Sequence, residues 1–167
     1  PSSASGDPII GYLPTNLKKD GAFISGWKYG SEGNWTDIGA ETTVATVLEA
    51  VKDGTGKIVA QYDKPQTVKI YGEKDDKSPY QQLQEAIYQA KGTCIIELSK
   101  SIEIEDADDY STNTVDIDED GLNVCFCDNK TNLAKEIIIR GKEGANVSIT
   151  LKRSNAGLFY FSSGILT

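Results

Sequence analysis

The chain has 167 residues, 17 basic and 25 acidic, for a formal charge of −8, and it contains no histidine. The missing imidazole excludes Ser-His-Asp and Cys-His catalysis, histidine-ligated zinc and a histidine pH switch. With only two arginines, Arg140 and Arg153, and this acidic balance, the chain lacks the clustered cations of a nucleic-acid binder. No apolar run approaches the roughly 20 residues of a membrane span.

Residues 1–7 are small and polar and read as a linker-like start without a signal-peptide pattern. Residues 8–40 carry short apolar runs (8–13, 22–27 and 33–36) separated by Gly, Asn, Asp and Lys, which predicts short strands and loops. Val44, Val47, Leu48 and Val51 then fall at i, i+3, i+4 and i+7, one face of a helix. Thr42 or Thr43 caps its start and Asp53-Gly54 ends it. Residues 57–60 and 67–71 read as strands. The charged, glycine-led loop 72–77 is the expected boundary between a small α+β segment (1–77) and a second unit (78–167).

The second helix is better marked. Ser78, Pro79 and Gln81 supply an N-cap, a proline at the first helical position and the third residue of a capping box. Tyr80, Leu83, Ile87 and Ala90 form its apolar face, Gly92 stops it, and a strand over 94–98 follows. Helix, glycine and strand thus occur twice in succession. Beyond residue 98, short alternating strands follow without helix signals, at 102–104, 115–117, 122–126, 137–139, 147–151 and 158–161. That texture suits a sandwich, a barrel or a solenoid. Residues 158–167 stay apolar and β-forming to the last position, so the chain is expected to continue into something longer, and the strand edge there is a template for self-association.

Four features carry candidate chemistry. Trp27 and Trp35 are candidate ligand-stacking platforms, the competing reading being that they fill a small core. Asp116, Asp118 and Asp120, followed by Gly121, match the first half of a calcium loop; position 12 is Cys127 where a glutamate belongs, so a solvated acidic turn competes with calcium binding. Of the three cysteines, Cys94 shares a face with Ile96 and Leu98 and is expected to be a buried core thiol, whereas Cys125 and Cys127 alternate with Leu122, Val124 and Phe126. Paired carboxylates in the acidic segment also fit glycoside hydrolysis in principle.

The helix-strand unit, residues 136–151 (Glu-Ile-Ile-Ile-Arg-Gly-Lys-Glu-Gly-Ala-Asn-Val-Ser-Ile-Thr-Leu) and residues 157–167 (Gly-Leu-Phe-Tyr-Phe-Ser-Ser-Gly-Ile-Leu-Thr) together resemble the first coils of bacterial surface proteins of the pectin-lyase-like family. The resemblance covers about residues 78–167. It implies a mainly β fold with two short helices, in which a capping helix covers the N-terminal end of a right-handed parallel β-helix; the alternative is an α+β domain or an antiparallel β-sandwich. Some relatives are polysaccharide lyases or hydrolases, and in the lyases a basic residue on the outer face of a coil takes a proton beside a calcium-bound uronate. Arg140, Lys152 and Arg153 are the basic residues in the corresponding region, and none sits in an enzyme motif of the family. The expectation is therefore a non-catalytic, cell-surface, secreted or periplasmic bacterial protein with a structural, adhesive or carbohydrate-binding role. Its partner would be a polysaccharide or a host surface protein, with calcium as the one candidate cofactor. The alternative is a fragment of a polysaccharide lyase or glycoside hydrolase.

Overall fold

Turn chemistry shapes the N-terminal region. The computed structural model describes residues 4–104, 121–123, 133–152, 157–160 and 164–167. Two short 3-10 turns, Ala4–Gly6 and Ile9–Tyr12, are pinned by Ile9 N–H to Thr42 C=O (2.8 Å) and Val44 N–H to Asp7 C=O (2.9 Å). Strands β1 (Lys18–Lys19) and β2 (Ala22–Phe23) form a hairpin closed by Asp20 and Gly21, both at positive φ (50° and 79°), the combination an Asp-Gly two-residue turn favours. Strand β3 (Gly26–Ser31) is the centre of an antiparallel sheet between β4 (Asn34–Asp37) and β5 (Lys57–Gln61). Helix α1 (Val44–Val51) is capped by the Thr43 hydroxyl, which accepts from Thr46 N–H. Of its expected apolar face, Val47 is buried, Val44 and Val51 are half-buried and Leu48 is exposed, because the core meets this short helix along a single line.

The remaining elements are β6 (Gln66–Ile70), α2 (Pro79–Gln89), β7 (Thr93–Leu98), β8 (Ile102–Ile104), β9 (Gly121–Asn123), β10 (Glu136–Gly141), β11 (Ile149–Leu151), β12 (Gly157–Tyr160) and β13 (Ile165–Leu166). The capping box is formed: Gln81 N–H donates to the Ser78 hydroxyl (3.2 Å), and Ser78 N–H donates to Gln81 Oε1 (2.9 Å). Every strand pairing here among the described residues is parallel: β6, β7, β10 and β13 make one sheet, β8 pairs β11, and β9 pairs β12. An antiparallel sandwich requires hairpin pairings in this half, and the described strands have none. The described residues are thus mainly β, with two α-helices and several sheets. The expected strand at 115–117 and the end of that at 122–126 lie outside the described residues.

Alternation decides what the parallel sheet buries. Cys94, Ile96 and Leu98 point inward and are flanked in register by Gln66, Val68 and Ile70 on β6 and by Ile137, Ile139 and Gly141 on β10. Ile102 and Ile104 of β8 enter the same core, and α2 lays Tyr80, Leu83, Ala86 and Ile87 across it. At about 25 cal/mol per Å² of apolar surface, each such fully buried branched side chain contributes roughly 1.5–3 kcal/mol. A second core gathers Ile9, Phe23, Ile24, Trp27, Ile38 and Val47, and is completed by Leu133 and Ala134 from the other half of the sequence. One sheet also crosses the loop at 72–77, since β6 lies before it and β7 after it. The repeated helix-glycine-strand pattern does not repeat in topology, because β5 pairs antiparallel and β7 parallel.

Candidate functional site

The parallel register converts single outward residues into rows. Lys69 on β6, Glu97 on β7 and Arg140 on β10 are direct partners and face away from the core. Tyr71 follows β6 and is held through its backbone: its carbonyl accepts from the Ser99 hydroxyl (3.3 Å), and Ser99 N–H donates to Ile70 C=O (3.2 Å). Lys142 follows β10 and donates its N–H to Leu98 C=O at 2.7 Å. Five side chains from three strand ends therefore meet on one outer face.

Glu97 is the hub. It accepts a short hydrogen bond from the Tyr71 hydroxyl, and Arg140 Nη2 lies 3.0 Å from its second oxygen. The Tyr71 hydroxyl, and after it Arg140, hold the Glu97 carboxyl below the ordinary range. The same bond, with its anionic acceptor, raises the Tyr71 phenol, while Arg140 works the other way. Lys142 Nζ and Lys69 Nζ sit 5.2 and 5.9 Å from the centre of the Tyr71 ring, within cation–π reach. Three cations stand against one carboxylate that is already engaged, on a chain whose net charge is −8. Such a face carries a local excess of positive charge and presents hydrogen-bond donors, a combination suited to an anionic group.

The residues singled out from the sequence fare differently. Trp27 is 8% exposed, belongs to the second core and donates its indole N–H to Pro14 C=O at 3.2 Å, so its ring is closed to a ligand from solvent. Trp35 is 39% exposed on edge strand β4, opposite Gly30. Gly30 sits at φ 134°, where a Cβ would come within 2.1 Å of Asn34 C=O, so the edge beneath Trp35 depends on glycine. The fold thus does not join the two tryptophans in one platform. Asp116, Asp118, Asp120, Cys125, Cys127 and Arg153 lie outside the described residues. Cys94 is a buried free thiol, pushed up by burial against the pull of the Lys135 charge. Lys152 pairs with Glu103 at 2.7 Å. Among the described residues, no three Cys, Asp or Glu side chains are grouped to hold a metal ion.

Sequence reasoning singled out Arg140 and missed Lys69, Tyr71, Glu97 and Lys142. Alternation within 67–71 and 94–98 marks Lys69 and Glu97 as outward-facing. What joins them is the strand offset, which no local pattern carries. No described helix is long and apolar enough to cross a membrane. Comparison of the chain with protein-family models, with curated proteins and with solved structures finds no match.

Proposed function

We propose that residues 78–167 are the capping helix and first coils of a right-handed parallel β-helix, and that the chain serves a non-catalytic bacterial surface or secreted protein. Its role is structural and adhesive, and it meets carbohydrate through the outer face of Lys69, Tyr71, Glu97, Arg140 and Lys142. The observation that carries this reading is the constant offset of 43 residues between β7 and β10, which stacks Thr93 on Glu136 and continues through Leu98 and Gly141. A solenoid requires such stacking of like positions, because one coil cannot bury its inner face alone. The apolar face of α2, laid over the first coil, suits a cap. The protein acts outside the cytoplasm, its partner is a polysaccharide or a host surface protein, and calcium at Asp116, Asp118 and Asp120 remains part of the proposal.

The test is binding of the whole chain to polygalacturonate, to a sulfated glycan and to a neutral glucan, at low and at high salt. The expected result is salt-sensitive binding to the acidic polymers, weakened about tenfold in the Arg140→Ala, Lys142→Ala double variant. Absence of binding to all three, or a double variant that binds as the parent does, overturns the reading. The same incubations with added calcium, followed for unsaturated uronate products, examine the lyase alternative. Product that is lost on Arg140→Ala would replace the non-catalytic role by catalysis.

A further inference from the structure

We infer that the open pocket between the β1–β2 hairpin and the segment joining β5 to β6 binds a small zwitterion of amino-acid size. This site is separate from the outer face described above. Its volume is about 360 Å³, within the range of small-molecule sites, and it is lined by Lys19, Asp20 and Ala22 on one side and Tyr62, Asp63, Lys64 and Pro65 on the other. The lining has two cations and two carboxylates. Among the described residues, none of these four side chains makes an ion pair or a hydrogen bond. Their neighbour Lys18, by contrast, is engaged by Glu136 at 2.8 Å, and Lys28, Lys52, Lys77 and Arg140 are all ion-paired.

Both walls are held in place before any ligand arrives. The hairpin turn is fixed by the left-handed conformations of Asp20 and Gly21. The facing segment is tied down by Ser25, whose N–H donates to Gln61 C=O (2.9 Å) and whose hydroxyl accepts from Asp63 N–H (3.1 Å). A simple anion meets two carboxylates here and a simple cation meets two ammonium groups. A molecule carrying an ammonium and a carboxylate a few bonds apart satisfies both signs, and its carbon skeleton can rest on Tyr62, Pro65 and the buried Ala22. Because the four charges are exposed, each contact is worth little, and the dissociation constant is expected on the order of 0.1–1 mM.

The test is an amide NMR titration of the whole chain with L-leucine, N-acetyl-L-leucine (carboxylate alone), L-leucinamide (ammonium alone) and D-glucose. The inference predicts saturable shifts at residues 19–22 and 62–65 with L-leucine, and affinity at least about fivefold weaker for the three other probes. It also predicts about a fivefold loss in Asp63→Asn and in Lys64→Gln, exposed positions whose unchanged signals elsewhere report an intact fold. No saturable response to L-leucine up to about 10 mM, an equal response to any of the other three probes, or variants that bind as the parent does would each overturn it.

Discussion

The Thr93 hydroxyl donates to the Glu136 carboxylate at 2.9 Å, and the two residues are register partners on β7 and β10. The same hydroxyl accepts from Phe23 N–H at 2.9 Å, and the other Glu136 oxygen receives Lys18 Nζ at 2.8 Å. One polar relay therefore ties the β1–β2 hairpin to the parallel sheet, through buried Thr93 and Glu136 and the exposed Lys18. Thr93→Val keeps the shape but leaves Phe23 N–H without its acceptor and Glu136 Oε2 without its donor, while Lys18 still holds Oε1. The expected cost is about 2–3 kcal/mol, read from urea unfolding, with Thr93→Ser recovering most of it.

Lys135 is wholly buried, and its ammonium donates to the carbonyls of Ile87 (2.7 Å) and Tyr88 (3.1 Å), the last turn of α2. A helix end leaves such carbonyls unpaired, and the extended Ala90 that follows does not reclaim them. Lys135→Met fills the space without a donor. It should lower the unfolding midpoint by the equivalent of about 2 kcal/mol and speed exchange of the α2 amides ahead of those in β7.

Gly92 sits at φ 58°, and a Cβ there would come within 2.9 Å of Phe23 C=O. Gly92→Ala combines a left-handed penalty of about 1–2 kcal/mol with that collision, so destabilisation of at least about 2 kcal/mol is expected on thermal unfolding. Gly54 is also left-handed, at φ 77°, but has nothing within 4 Å of a built Cβ. Gly54→Ala should cost about 1 kcal/mol, and equal losses at the two sites would contradict the close approach at Gly92.

The Tyr71–Glu97 bond is bounded by pH on both sides. The folded carboxyl titrates below its unfolded value, so its contribution is present above the ordinary carboxylate range and lost as pH falls through the lowered pKa. The phenol titrates above its unfolded value, so its contribution is present below that value and lost as pH rises through the raised pKa. Tyr71→Phe should return the Glu97 titration toward the ordinary carboxylate value, followed by carboxyl-carbon NMR. Arg140→Ala should do so to a smaller extent.

Much of the local structure was legible because its causes are local. Thr43 and Ser78 cap the helices as their hydroxyls allow and Gln81 closes the capping box; α2 ends earlier than expected, at Gln89 before the extended Ala90, and left-handed Gly92 serves the turn into β7. The alternation at 94–98 placed Cys94, Ile96 and Leu98 in the core. The candidate site was less legible because its residues meet only through pairing at long range. Arg140 and Glu97 are 43 residues apart, and neither neighbourhood names the other. Trp27 and Trp35 were equivalent as sequence and differ because Trp27 shares the core-facing side of central β3 with Tyr29, whereas Trp35, opposite Gly30 on edge strand β4, lies on the other face.

In the proposed solenoid the backbone from β7 onward winds forward in stacked layers. Nuclear Overhauser contacts between the amide and α protons of β7 and β10 test it most directly. The expected contacts advance together along both strands, with Cys94 near Ile137, Ile96 near Ile139 and Leu98 near Gly141. Contacts that advance along one strand while receding along the other would mean a hairpin, and would contradict the solenoid.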